Sequence, residues 1–155
     1  MKRQSSYAKD EGKLYLVPTP IGNLKDITIR AKKVLTDADY IAAEDTRTSG
    51  ILLEKIGVHN KMISFHKYNS KERAPELIKL MKDGAVIAEI SDAGMPVISD
   101  PGYILVQECI KNDIPVVPLP GPSAFATALI ASGFDAQPFT YYAFTKKIIR
   151  TKAIL

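Results

Sequence analysis

The sequence has no run of apolar residues approaching the roughly 20 that a membrane-spanning helix needs. Its start, MKRQSSYAKDEGK, lacks the apolar core of a secretory signal. Residues 1–13 read as a flexible leader, and the protein as cytoplasmic. A single cysteine, Cys109, excludes an internal disulfide and fits a reducing compartment. Its setting, YILVQECIKN, is the apolar face of a helix, so Cys109 reads as a buried structural thiol rather than a nucleophile. The two histidines, His59 and His66, have no ligand-like spacing with each other or with Cys109, which excludes a zinc site. A G-x-S-x-G hydrolase elbow is absent. PTPIGN at 18–23 has one glycine and matches neither the dinucleotide fingerprint nor the phosphate-loop motif. No repeat or low-complexity stretch interrupts the chain.

What remains is a chain of 155 residues, 46% hydrophobic and 25% charged, enough for one ordinary domain with a core. The net charge is +4, and much of the surplus sits at the ends: Lys2, Arg3, Lys9 and Lys13, then Lys146, Lys147, Arg150 and Lys152. That surplus is compatible with a nucleic-acid partner and equally with solvated surface lysines.

Short apolar runs alternate with helical patterns. Strands are expected near 14–18, 40–43, 62–65, 85–90 and 115–119. Between them, Asp26 is placed as the N-cap of a helix carrying Ile27, Ala31, Val34, Leu35 and Ala38. EDTR opens a second helix with Ile51, Leu52 and Ile56, stopped at Gly57. A third is expected to begin near Pro75, because proline fits a helix start and is costly inside. It would bury Leu77, Ile78 and Met81 and end at Gly84. A fourth, from about Tyr103 to Asn112, would place Val106, Cys109 and Ile110 together. The last has Pro122 in its first turn and Gly133 after its end, and PFTYYAF begins something more extended. Five strands separated by helices give an α/β domain, a five-stranded mainly parallel sheet flanked by helices.

In such sheets the ligand crevice lies beyond the carboxyl ends of the strands. PTPIGN, EDTR, SDAGMPVISDPG and PGPS all follow expected strands and would gather on one edge. Gly94 and Gly102 allow backbone shapes or close approaches that other residues resist, while Pro96 and Pro101 stiffen the path. Gly94 is read chiefly as a point where a ligand approaches the backbone, with a left-handed turn as the other reason for glycine there. Asp92 and Asp100 can cap turns. The loop carries no lysine, arginine or histidine, so it suits hydroxyl groups or a cation better than a phosphate. S-adenosylmethionine offers both a ribose and a sulfonium. Asp45, Asp92 and Asp100 could hold magnesium, but nothing in their spacing requires it.

LYLVPTPIGNLKDIT, IAAEDTR, SFHKYNSKERAPEL, SDAGMPVISDPGY and VVPLPGPSA follow one another in order. Taken together, from about Leu14 to Phe144, they resemble the ribosomal RNA small subunit methyltransferase I family, within the tetrapyrrole methylase superfamily. The resemblance implies S-adenosyl-L-methionine as cofactor, no metal, and 2′-O-methylation of a cytidine ribose at the decoding site of small-subunit ribosomal RNA. The partners it implies are that RNA or the 30S subunit, with no membrane, in a homodimer of two-domain chains. By position, Pro20, Gly22 and Asn23 would line the cofactor cleft. Asp92, Ala93, Gly94, Pro96 and Ile98 would touch the cofactor, and Pro120, Gly121 and Ser123 would close over it. Glu44, Asp45 and His66 are the candidates for a general base, and Arg47, Asn69 and Arg73 for the RNA side. For Glu44 and Asp45 a helix N-terminal role is as reasonable. Ala143 replaces the family's usual glycine, and KKIIRTKAIL departs from its pattern. The expected organisation is therefore an N-terminal methylase domain at 14–138, then a linker or the start of a truncated or missing second domain at 139–155. A tetrapyrrole methyltransferase and a non-catalytic cofactor-binding or dimerisation module are the competing readings.

Overall fold

A computed structural model describes residues 11–143. The leader up to Asp10, and with it Lys2, Arg3 and Lys9, lies outside the described residues, as do Phe144, Lys146, Lys147, Arg150 and Lys152. The order of elements is β1 (Lys13–Leu16), α1 (Ile29–Asp37), β2 (Tyr40–Ala43), α2 (Thr46–Lys55), β3 (Met62–Ser64), α3 (Ser70–Lys82), β4 (Val86–Ile90), α4 (Gly102–Lys111), β5 (Val116–Pro118) and α5 (Ala124–Ala131). The chain divides after Ala124 into two compact units.

The first unit holds one five-stranded sheet in the order β3-β2-β4-β1-β5, and its strand pairs are all parallel. All five expected strands are present. Alternation along each strand sends successive side chains to opposite faces. On one face Val17, Ile41, Ala43, Ala88 and Ile90 pack with Ala31 and Leu35 of α1 and Leu53 of α2. On the other, Leu14, Ala42 and Ile87 pack with Leu77 and Met81 of α3 and Leu105 and Cys109 of α4. Both faces are covered, which is why the strands read as short apolar runs. Pro118 is tolerated in β5 because that strand is an edge.

Four local expectations are corrected. Asp26 does not cap α1. It ends a 3-10 turn, Leu24–Asp26, that Asn23 caps, and Thr28 caps α1 through a 2.9 Å bond from the Ala31 N–H. The third helix begins at Ser70, a turn and a half before Pro75. Pro75 and Lys71, whose carbonyl the proline leaves without a donor, are both exposed, so water can replace the lost bond. Ile110 faces out at 58% exposure, and the buried stripe of α4 is Gly102, Leu105 and Cys109. Pro122 lies two residues before α5 rather than in its first turn.

In the second unit the Phe125 ring packs against Phe139 and Tyr141, with centroids 6.2 and 4.8 Å apart. Gly133, with φ +74, follows α5 as expected, and residues 138–143 form no regular element. Among the described residues no helix is long and apolar enough to cross a membrane.

Candidate functional site

Because the strands run in parallel, the loops after all five meet at one edge of the sheet. β1 and β4 are neighbours, yet β1 leads to a helix on one face and β4 to a helix on the other. A crevice opens at such a switch point.

Its floor is a tie between PTPIGN and SDAGMP. Thr19 and Gly94 exchange both backbone hydrogen bonds, at 3.0 and 3.1 Å, as an isolated antiparallel bridge. The wholly buried Thr19 hydroxyl donates to the Ser91 carbonyl at 3.1 Å. Gly94 takes φ +85, and a Cβ there would lie 3.3 Å from the Ile21 methyl and 3.8 Å from the Pro122 carbonyl. Backbone shape and packing therefore require glycine at this point without any ligand. From the β5 side, Gly121 closes against Pro18, where a Cβ would stand 2.5 Å from Pro18 Cβ.

Around this tie, Pro20 is half-buried and Gly22 and Asn23 are exposed, the Asn23 side chain accepting from the Lys25 N–H. Asp92, Ala93 and Ile98 are exposed, while Pro96 is buried. Pro120 is exposed. Ser123 is half-buried, and its Oγ is a buried polar atom without a hydrogen-bond partner. The three loops PTPIGN, SDAGMP and PGPS contain no cationic side chain. The exposed Asp92 and the unpartnered Ser123 hydroxyl, each on one of these loops, suit a hydroxylated, positively charged ligand.

On the opposite flank of β4, the ends of β2 and β3 bring up the other candidates. Asp45 caps α2, accepting from the N–H groups of Arg47 and Thr48, and pairs with the Arg47 guanidinium at 3.0 Å. These bonds to Arg47 hold its carboxyl down at about 2, so it is a poor proton acceptor. Glu44 has the opposite setting: burial first, then the charges of Asp92 and Asp100, push its carboxyl above the usual range, and His66 pulls it back. His66 Nδ1 accepts from the Tyr68 N–H at 3.2 Å, so that ring nitrogen is already engaged. Asn69 accepts from the His66 N–H and donates to the Ser64 carbonyl, fixing the turn after β3. Arg73 is paired with Glu76 on α3.

Sequence reasoning missed two participants. Thr19 was hidden inside a proline-rich loop. Glu89 lay inside an apolar run, yet it occupies the central strand, paired in register with Leu16 and Ala42, on the α3–α4 face. Burial, then Asp100 and Glu44, raise its carboxyl to about 8. Its Oε2 has no partner, nor has Asp100 Oδ2. The alternation of AVIAEI, which puts Glu89 on the face of Ile87, was the available signal. Burial likewise pushes the Cys109 thiol to about 12, the setting of an inert structural cysteine.

The family model for tetrapyrrole (corrin/porphyrin) methylases matches residues 13–148. The chain is 54% identical over 146 residues to a protein of Streptococcus pyogenes named ribosomal RNA small subunit methyltransferase I, covering 93% of this chain and 51% of that one. Proteins of the same name from Escherichia coli and Thermotoga maritima are 49% and 52% identical, over 93% and 86% of this chain and 50% and 60% of theirs. The chain thus spans about half the length of the curated relatives it matches. Among solved structures, uroporphyrin-III-C-methyltransferase from Thermus thermophilus aligns with TM-score 0.62 at 25% identity, over 79% of this chain and 53% of that one.

Proposed function

The chain belongs to the tetrapyrrole (corrin/porphyrin) methylases, and from that premise we propose that it carries the N-terminal α/β part of an S-adenosylmethionine-dependent ribosomal RNA methyltransferase. The target is the 2′-hydroxyl of a cytidine in small-subunit ribosomal RNA, and the protein works as a cytoplasmic homodimer. The observation that carries the reading is the convergence of three cation-free loops on the Thr19–Gly94 bridge, the third of them bearing the unpartnered Ser123 hydroxyl. The relatives' name supports the RNA substrate.

The cofactor, when bound, supplies an electrophilic methyl group. Pro20, Gly22, Asn23, Asp92, Ala93, Gly94, Pro96, Ile98, Pro120, Gly121 and Ser123 would hold it, with Asp92 complementing the sulfonium charge. This chain's own part would be to hold the ribose hydroxyl in line with that methyl group and to take the hydroxyl proton onto a base. Glu44 fits that role better than Asp45 or His66. Its basicity is raised, whereas Asp45 is pinned as a cap and Nδ1 of His66 is taken up by the Tyr68 N–H. Holding the two reactants in line supplies much of the remaining acceleration.

The test is methyl transfer by the natural protein to small ribosomal subunits, read as 2′-O-methylcytidine in digested RNA. Transfer to a porphyrinogen instead would replace the RNA reading with a tetrapyrrole one. Cofactor binding with transfer to neither would leave a binding module.

A further inference from the structure

A second cavity, of about 380 Å³, opens on the β2–β3 side of β4. Its carboxylates are Glu44 and Asp100. Lys67 and Lys71, from the turn after β3 and the start of α3, line it together with Tyr103 and Ile104 of α4. Both lysines are exposed, and neither is in an ion pair among the described residues. Tyr103 is 52% exposed.

The groups ask for a ligand with three different parts. Lysines without carboxylate partners favour a phosphate. Carboxylates accept hydrogen bonds and repel anions, so they face hydroxyl groups. An exposed tyrosine beside an isoleucine offers a flat apolar surface to a base. The volume lies at the small end of ligand pockets, ~300–1,000 Å³, which suits one nucleotide. A tetrapyrrole carrying several carboxylates is larger and would set negative charge against Glu44 and Asp100.

We infer that this cavity seats one nucleotide of a single-stranded RNA segment. Its phosphate meets Lys67 and Lys71, its ribose lies over Glu44 and its base rests on Tyr103. The inference rests on the RNA reading above and adds the residues that deliver the ribose to its base.

The experiment is fluorescence anisotropy with a labelled single-stranded oligoribonucleotide, on the purified protein and on Lys67→Ala/Lys71→Ala, Tyr103→Ala and Tyr103→Phe. All three replaced side chains are exposed, so melting curves should coincide. The double lysine variant should weaken binding at least about tenfold and flatten the slope of log affinity against log salt by about 0.7 to 1.4. Tyr103→Ala should weaken binding at least about fivefold with an unchanged slope, and Tyr103→Phe should restore it. Variants that bind with the parent's affinity and slope would overturn the cavity and leave the RNA reading standing. A parent that binds no RNA would remove both.

Discussion

SDAGMPVISDPG contains the same dipeptide twice, and the two copies have opposite settings. Ser91 is buried, its hydroxyl donating to the Gly94 carbonyl at 3.4 Å, while Asp92 is exposed. Ser99 is exposed with φ +69, while Asp100 is half-buried. Asp100 Oδ1 accepts from the Gly102 N–H at 2.8 Å at the head of α4, and the carboxyl also accepts from the Val97 N–H. The cause is position. The first pair follows β4 directly and is captured by the loop after β1. The second must bring the chain into a helix, and does so through left-handed Val97 and Ser99, each a conformation that costs on the order of 1–3 kcal/mol. One half of the loop thus leaves its carboxylate exposed, and the other holds one half-buried near Glu44 and Glu89. In the proposed mechanism the first half serves the cofactor and the second the ribose.

Substitutions that separate those roles should have the largest effect. Glu44→Gln should lower kcat for transfer by about 10²–10⁴ with cofactor affinity unchanged. Asp92→Asn should weaken cofactor binding and leave kcat at saturation near the parent's. Initial rates combined with calorimetry decide the point. If both variants change the same parameter, the division of labour between the halves is wrong.

Gly94→Ala tests the first half for stability. The left-handed backbone and the Ile21 methyl both oppose a Cβ, so a loss of about 2–3 kcal/mol is expected in a denaturant titration. A variant as stable as the parent would mean that the bridge to Thr19 gives way easily and does not fix the loop.

Much of this was legible in the sequence because covered parallel strands leave a plain mark. YIAA and PVVPL are short, apolar and bounded by turn residues, and the edge on which their loops meet follows from the parallel order. The local errors came from competition between adequate signals. Asp26 and Thr28 can both cap a helix, and the helix follows the nearer one. Pro75 looked like a beginning because an interior proline loses a bond, but exposure lets water replace it. Glu89 was passed over because a single carboxylate does not stop a run from reading as apolar, and its cost is visible only once α4 covers it. The left-handed turns at Val97 and Ser99 carry no glycine to announce them. At the candidate site, the loops could be named from the sequence. The contrast between Asp45 as a cap and Glu44 as a half-buried carboxylate needed hydrogen bonds and burial to see.

The smallest expected effect is also the one that isolates the buried side of the comparison. Glu89 faces Asp100 from the loop, Glu44 from the end of β2 and Cys109 from α4. With its carboxyl raised from 4.5 to about 8, the fold keeps this proton where the unfolded chain has lost it. Below about pH 4.5 both states are protonated, and Glu89 adds no pH dependence. Between 4.5 and 8 the folded state binds the extra proton, so stability falls as pH rises. Above 8 the folded state ionises too, and the cost stops growing. Glu89→Gln keeps the shape without the ionisation. It should match the parent near pH 4.5 and exceed it at pH 8 by about 1–2 kcal/mol, the linkage being shared with Asp100 and Glu44. Unfolding titrations from pH 4.5 to 9 read the difference. If Glu89→Gln runs parallel to the parent, Glu89 is ionised in the fold at neutral pH. The second half of the loop would then be no more shielded from water than the first.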